Sequence, residues 1–174
     1  MKPTRAPRKL RTFNLTFNNF FLILPFFNKP KPIFEKQDID RLKSAIAAAE
    51  KSTSGEIRVF VESRCRYVEA ADRAAELFAQ LQMQETEARN GVLIYLATKD
   101  QQLAIWGDKG IHERLGEHYW QQRIHEMIST FNKEDYIAGI IACIEQLGVA
   151  LSTHFPYNRE ADRNELSDEI LLGR

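Results

Sequence analysis

The sequence predicts an α/β fold, a three-layer α/β/α sandwich on a small mixed sheet. Three observations predict it. Residues 57–61, IRVFV, alternate with period two. Residues 92–97, VLIYLA, are apolar without a break, as a central strand covered on both faces requires. Segments of helical spacing stand before, between and after these runs.

Taken in order, residues 38–51 place Ile39, Leu42, Ile46 and Ala49 on one helical face behind Asp38, an acid suited to a helix N-terminus. TSGEIRVFVES then switches to a strand, with Ile57, Val59 and Val61 on one face and Arg58 and Phe60 on the other. Residues 69–82 return to helical spacing through Ala71, Ala75, Phe78 and Leu81. VLIYLA is the second strand, TKDQ a turn and QLAIW the third strand of a short hairpin. Residues 111–131 (Leu115, Trp120, Ile124, Met127, Phe131) form a helical region. Residues 134–155 carry the clearest amphipathic stripe, Ile137, Ile140, Ile141, Ile144, Leu147, Leu151 and Phe155.

The strand–helix–strand unit makes the first two strands parallel through a right-handed crossover, and the hairpin makes the third antiparallel to the second. The starts of the first two strands and the end of the third therefore share one edge. TSGE (53–56), TEARNG (86–91) and WGDKG (106–110) converge there. Glu56, Glu87, Asn90 and Asp108 offer carboxylate and amide oxygens, and Thr53, Ser54 and Thr86 add hydroxyls. Such oxygens suit a hard divalent cation, Ca2+ or alternatively Mg2+. With His112 the only imidazole nearby and no cysteine, the set suits zinc poorly. Carboxylates gathered at one rim repel, and a bound cation or a partner such as Arg89 relieves them. The simpler reading stands beside this one: Asn90-Gly91 as a turn, Asp108 as a helix cap, Glu87 and Arg89 as solvated charges.

A chain of 174 residues suffices for one domain with tails. Its zero net charge hides an asymmetry: residues 1–36 hold eight Lys/Arg against Glu35, leaving 16 basic and 23 acidic residues in the remainder. A basic, disordered leader (1–35), the α/β domain (36–156) and a polar tail (157–174) follow. The acidic body excludes nucleic acid and favours cations. The leader has a basic start and an apolar patch, FFLILPFF, without an A-x-A-like cleavage site after it. That patch is far short of the ~20 residues that span a bilayer, so no transmembrane segment is expected. Three readings of the leader stay open: a flexible tail, which is favoured, a weak membrane-surface anchor, and an extension from an upstream start. Cytoplasmic location is the default, membrane association through the leader the alternative. Cys65 and Cys143 form no CxxC and read as reduced, partly buried thiols, with one long-range disulfide as the alternative.

No nucleophile motif appears. Ala71, not Arg, stands six positions after Cys65; Asp38-Ile39-Asp40 opens a helix instead of ending a strand; GxSxG, P-loop and HExxH are absent. His118 and His125 lie seven apart on one helical face, too far to share a metal without a third group. No catalytic residue is assigned.

The stretches TSGEIRVFVES, TEARNGVLIYLATKDQQLAIWGDKGI and YIAGIIACIEQLG resemble the TPM domain family over residues 36–156. Its members include thylakoid-lumen proteins of photosystem II repair and bacterial membrane-associated proteins. The resemblance implies an α/β/α sandwich, calcium binding in some members and acid phosphatase activity in the plant branch. The family's rim motif falls on Glu56, Asn90, Gly91, Gly107 and Asp108. Many bacterial relatives carry a signal peptide and a membrane helix with a Gly-rich tail; this chain shows neither clearly. The expectation is a calcium-binding module that takes a divalent cation and a protein partner, with a metal-dependent, acid phosphatase-like phosphomonoester hydrolase as the alternative.

Overall fold

A computed structural model describes residues 34–132, 135–157 and 170–173. The leader up to residue 33 and most of the polar tail lie outside the described residues. The order is α1 (Lys36–Glu50), β1 (Ile57–Glu62), α2 (Ala70–Gln80), a short 3-10 turn (Met83–Glu85), β2 (Val92–Ala97), β3 (Gln102–Gly107), α3 (Lys109–Phe131), α4 (Tyr136–His154) and β4 (Leu171–Leu172).

Helices α1, α3 and α4 start on residues whose side chains accept from their free N–H groups. Glu35 and Asp38 bond reciprocally across the first turn of α1, Asp108 caps α3, and the Asp135 carboxylate accepts from Ala138 N at 3.0 Å at the head of α4. Within α3 the helix breaks at Gly116, whose φ of +71° and ψ of 172° no side-chain-bearing residue adopts cheaply. The periodicity of 111–131 does not reveal this break, because a single glycine barely disturbs an apolar stripe.

β1 and β2 pair in parallel, Ile57 opposite Val92, and β2 and β3 pair antiparallel, Val92 opposite Gly107. The sheet order is β3-β2-β1-β4. The fourth strand is an addition to the three-strand expectation: Leu171 and Leu172 pair in parallel with Phe60 and Val61. The apolar end of the tail thus docks on its own sheet, covering the edge β1 would otherwise expose.

Period two divides the sheet into two faces. Ile57, Val59, Val61, Val92, Ile94, Leu103 and Ile105 pack under α1, α3 and α4. Leu93, Tyr95 and Ala104 pack on the opposite face with Ala74, Leu77 and Phe78 of α2. These are the three expected layers. Both cysteines are free and buried, Cys143 in the first cluster and Cys65 in the second, so the sheet separates them. Among the described helices α4 alone is long and apolar enough to cross a membrane, and half of its apolar window is buried in the molecule.

Candidate functional site

The rim where β1 and β2 begin and β3 ends forms as the strand directions dictate. Val92 N donates to Glu56 O at 2.7 Å and Asp108 N to Gly91 O at 2.9 Å, so the three segments are joined by backbone hydrogen bonds. Ser54 N donates to Phe155 O at 3.1 Å, and Thr53 Oγ1 to the same carbonyl at 2.6 Å, tying the 53–55 turn to the end of α4. Gly110 lets α3 settle onto the loop before β2: a Cβ there would lie 2.2 Å from Ala88 O, and Ile111 N donates to Arg89 O at 3.2 Å.

Asp108 carries two loads. Its Oδ1 accepts from Lys109 N at 2.7 Å, which caps α3. Arg89 grips the same carboxylate in a two-point contact, Nε on Oδ2 and Nη2 on Oδ1. The Asp108 side chain is buried and the Arg89 side chain half exposed. The carboxylate's hydrogen bonds hold the Arg89 proton more firmly than usual, raising its pKa. Arg89 itself stands at φ +52°, a left-handed conformation set by the turn that delivers Asn90.

Asn90 is fully buried. Its N–H donates to Thr86 Oγ1 at 3.3 Å and its amide nitrogen donates to Ser54 Oγ at 3.2 Å. Its Oδ1 is buried with no hydrogen-bond donor. An amide oxygen removed from water without a partner is costly, and a cation or a donor reaching it removes that cost. Glu56 is buried and is not without a partner; Glu87 is exposed. Among the described residues no three His, Cys, Asp or Glu side chains gather closely enough to hold a metal. The rim therefore gathers the Asp108 carboxylate countered by arginine, Glu56, an orphaned amide oxygen, hydroxyls and backbone carbonyls. That all-oxygen set fits calcium in kind. Of the expected ligands, Glu56, Asn90 and Asp108 meet on one rim, while Glu87 sits out in solvent beside them.

At the other end of the same strands lies a polar cluster that the sequence reading did not single out. Tyr95 Oη donates to Glu62 Oε1 at 2.5 Å, and Arg73 holds both oxygens of that carboxylate, at 3.1 and 3.2 Å. Its signal was Tyr95 itself: a phenol inside a wholly buried strand needs an acceptor. His118 and His125 are exposed on α3, as a wet face requires.

The TPM domain family model matches residues 28–150. The solution structure of the BA42 protein from the psychrophilic bacterium Bizionia argentinensis is 34% identical, with a TM-score of 0.75 over 83% of this chain and 99% of that one. The N-terminal domain of the cg2496 protein from Corynebacterium glutamicum shares the fold at 17% identity, with a TM-score of 0.55 over 68% of this chain and 74% of that one. No curated protein sequence matches the chain.

Proposed function

As this chain belongs to the TPM domain family, we propose that it is a divalent-cation module, binding Ca2+ (or Mg2+) at the strand-end rim and acting by recruiting a protein partner. Asn90 and Asp108 supply side-chain ligands, with Glu56 and the exposed Glu87 as further carboxylates at the rim's margin. In this reading the protein is cytoplasmic and its basic leader makes at most surface contact with membranes.

The observation that carries the reading is the buried Oδ1 of Asn90, which lacks a donor while its amide nitrogen is fixed on Ser54. A hydrophobic turn residue would cost less there if the turn were all that mattered. Arg89 supplies the positive charge that Asp108 needs when no cation is present. Each is a group that a cation would engage or replace.

Calorimetric titration of the full chain with Ca2+ and with Mg2+ tests this. Saturable binding that Asn90→Ala weakens and Asp108→Ala removes is the expected result. An absence of binding to either ion, with the fold intact by circular dichroism, overturns it. Release of phosphate from a generic phosphomonoester, dependent on the metal and on Asp108, would convert the module into a hydrolase.

A further inference from the structure

Beyond the carboxyl ends of β1 and β2, opposite the rim, lies a cavity of about 610 Å3. Open α/β sheets bind ligands at this end of their parallel strands, and cavities of about 300–1,000 Å3 are the size that holds small molecules. Its walls come from the loop after β1 (Ser63, Arg64, Arg66), the β2–β3 hairpin (Lys99) and α2.

The charges in this cavity do not cancel. Glu62 is already satisfied by Arg73 and Tyr95, and Glu76 by Arg73 and Gln80. Arg64, Arg66 and Lys99 have no anionic partner among the described residues. Four cations face two carboxylates across this concavity, and such a positive excess is out of place on a chain whose part after residue 36 is acidic by seven charges. Ordinary surface lysines and arginines are scattered and mobile; these sit on tethered backbone. Lys99 N donates to Ser63 O at 2.8 Å and Thr98 N to Glu62 O at 3.0 Å. Cys65 N donates to Asp100 Oδ2 at 2.8 Å, which pins the loop between the two arginines to the hairpin that carries the lysine. Directly after Arg66, Tyr67 is held at φ +71° and is 97% exposed. A left-handed, solvent-facing tyrosine gains nothing from packing, and strain of this kind concentrates at ligand clamps.

We infer that this cavity binds a small phosphoryl polyanion, with the Arg64 and Arg66 guanidiniums and the Lys99 ammonium as its cationic clamp. Guanidiniums take phosphate oxygens two at a time, and an ammonium adds a point charge without a directional demand. The positive excess of the lining matches the charge of a pyrophosphate or a phosphomonoester better than that of a single carboxylate. The buried Glu62–Arg73 pair forms a neutral, fixed wall behind it. The inference is independent of the cation rim, which lies at the opposite end of the strands.

The test is calorimetric titration of the full chain with pyrophosphate in metal-free buffer, alongside sedimentation with vesicles bearing phosphatidic acid. Pyrophosphate binding that weakens about tenfold in the Arg64→Gln/Arg66→Gln variant, and likewise in Lys99→Gln, is expected. It should also fall as salt rises. Vesicle binding lost through the same substitutions, without binding of free pyrophosphate, would assign the clamp to a lipid headgroup. All three side chains are exposed, so the variants should keep the wild-type circular dichroism spectrum and the same calcium titration. If neither probe binds, or both bind the double variant as tightly as the wild type, the inference is overturned.

Discussion

Arg89 and Asp108 stand 19 residues apart in the chain and meet in a two-point ion pair, at 2.6 Å for Nε–Oδ2 and 2.9 Å for Nη2–Oδ1. If Asp108 serves a cation, Arg89 is that cation's internal competitor. Arg89→Gln should then raise Ca2+ affinity several-fold in a calorimetric titration. Because the Arg89 side chain is half exposed, its removal should cost no more than about 1 kcal/mol of stability. Asp108→Ala should cost about 1–2 kcal/mol through loss of the α3 cap alone. An Arg89→Gln variant with weaker calcium binding would show that the arginine organises the rim instead of competing for it.

The Glu62 carboxylate should be the most sensitive polar site in the fold. Arg73→Met leaves a buried charge held only by Tyr95 and should cost about 3 kcal/mol. The figure is at the low end for such losses because the Arg73 side chain is a quarter exposed. Tyr95→Phe removes one hydrogen bond and should cost about 1–2 kcal/mol. Urea denaturation of the two single variants should rank them in that order; the reverse order would mean that Glu62 reaches solvent once Arg73 is gone.

Alkaline pH should unfold the protein progressively. Burial raises the Cys143 thiol from 9.0 to about 12 and the Tyr119 phenol from 10.0 to about 12. Both groups are neutral when protonated, so the folded state holds these protons more tightly than the unfolded chain. The Cys143 contribution is fully present below about pH 9 and is lost as pH rises from 9 towards 12, at about 1.4 kcal/mol per pH unit. That of the partly exposed Tyr119 falls only above about pH 10 and less steeply, because solvent screens it. Cys143→Ala should flatten the first part of that decline in a stability-versus-pH series, and an unchanged slope would rule the thiol out as its source.

Gly116→Ala meets no steric obstacle, since a Cβ there has nothing within 4 Å. The backbone conformation alone should make it destabilising by about 1–3 kcal/mol. If thermal denaturation instead shows a gain in Tm, α3 has straightened through the break and the angle between its two halves is not required by the core.

How much of this was legible in the sequence varies by element. The alternation of IRVFV and the unbroken VLIYLA run gave away two strands and both faces of the sheet, because period and burial are local properties of a strand. The hairpin turn and the crossover rule then supplied strand direction, and direction alone brings Glu56, Asn90 and Asp108 to one edge. β4 was not legible: LL is two residues long, and its strand character comes from the open edge of β1, some 110 residues earlier. The Arg73–Glu62–Tyr95 cluster was equally hidden, because its members sit on α2, β1 and β2 and meet only once α2 is laid across the sheet.

The order of elements from α1 to α4, the layer structure and the meeting of three loops are properties of this chain's apolar periodicity, and the sequence by itself determined them. Which charge sits on which is another matter. Whether Asp108 faces Arg89 or solvent, whether the Asn90 oxygen finds a donor, and which cations around the second cavity remain uncompensated depend on side-chain distances of a few ångströms between segments remote in sequence. Hydrophobic pattern is summed over many residues and survives local ambiguity, whereas an ion pair or a hydrogen bond exists only at one geometry, and tertiary packing alone sets that geometry.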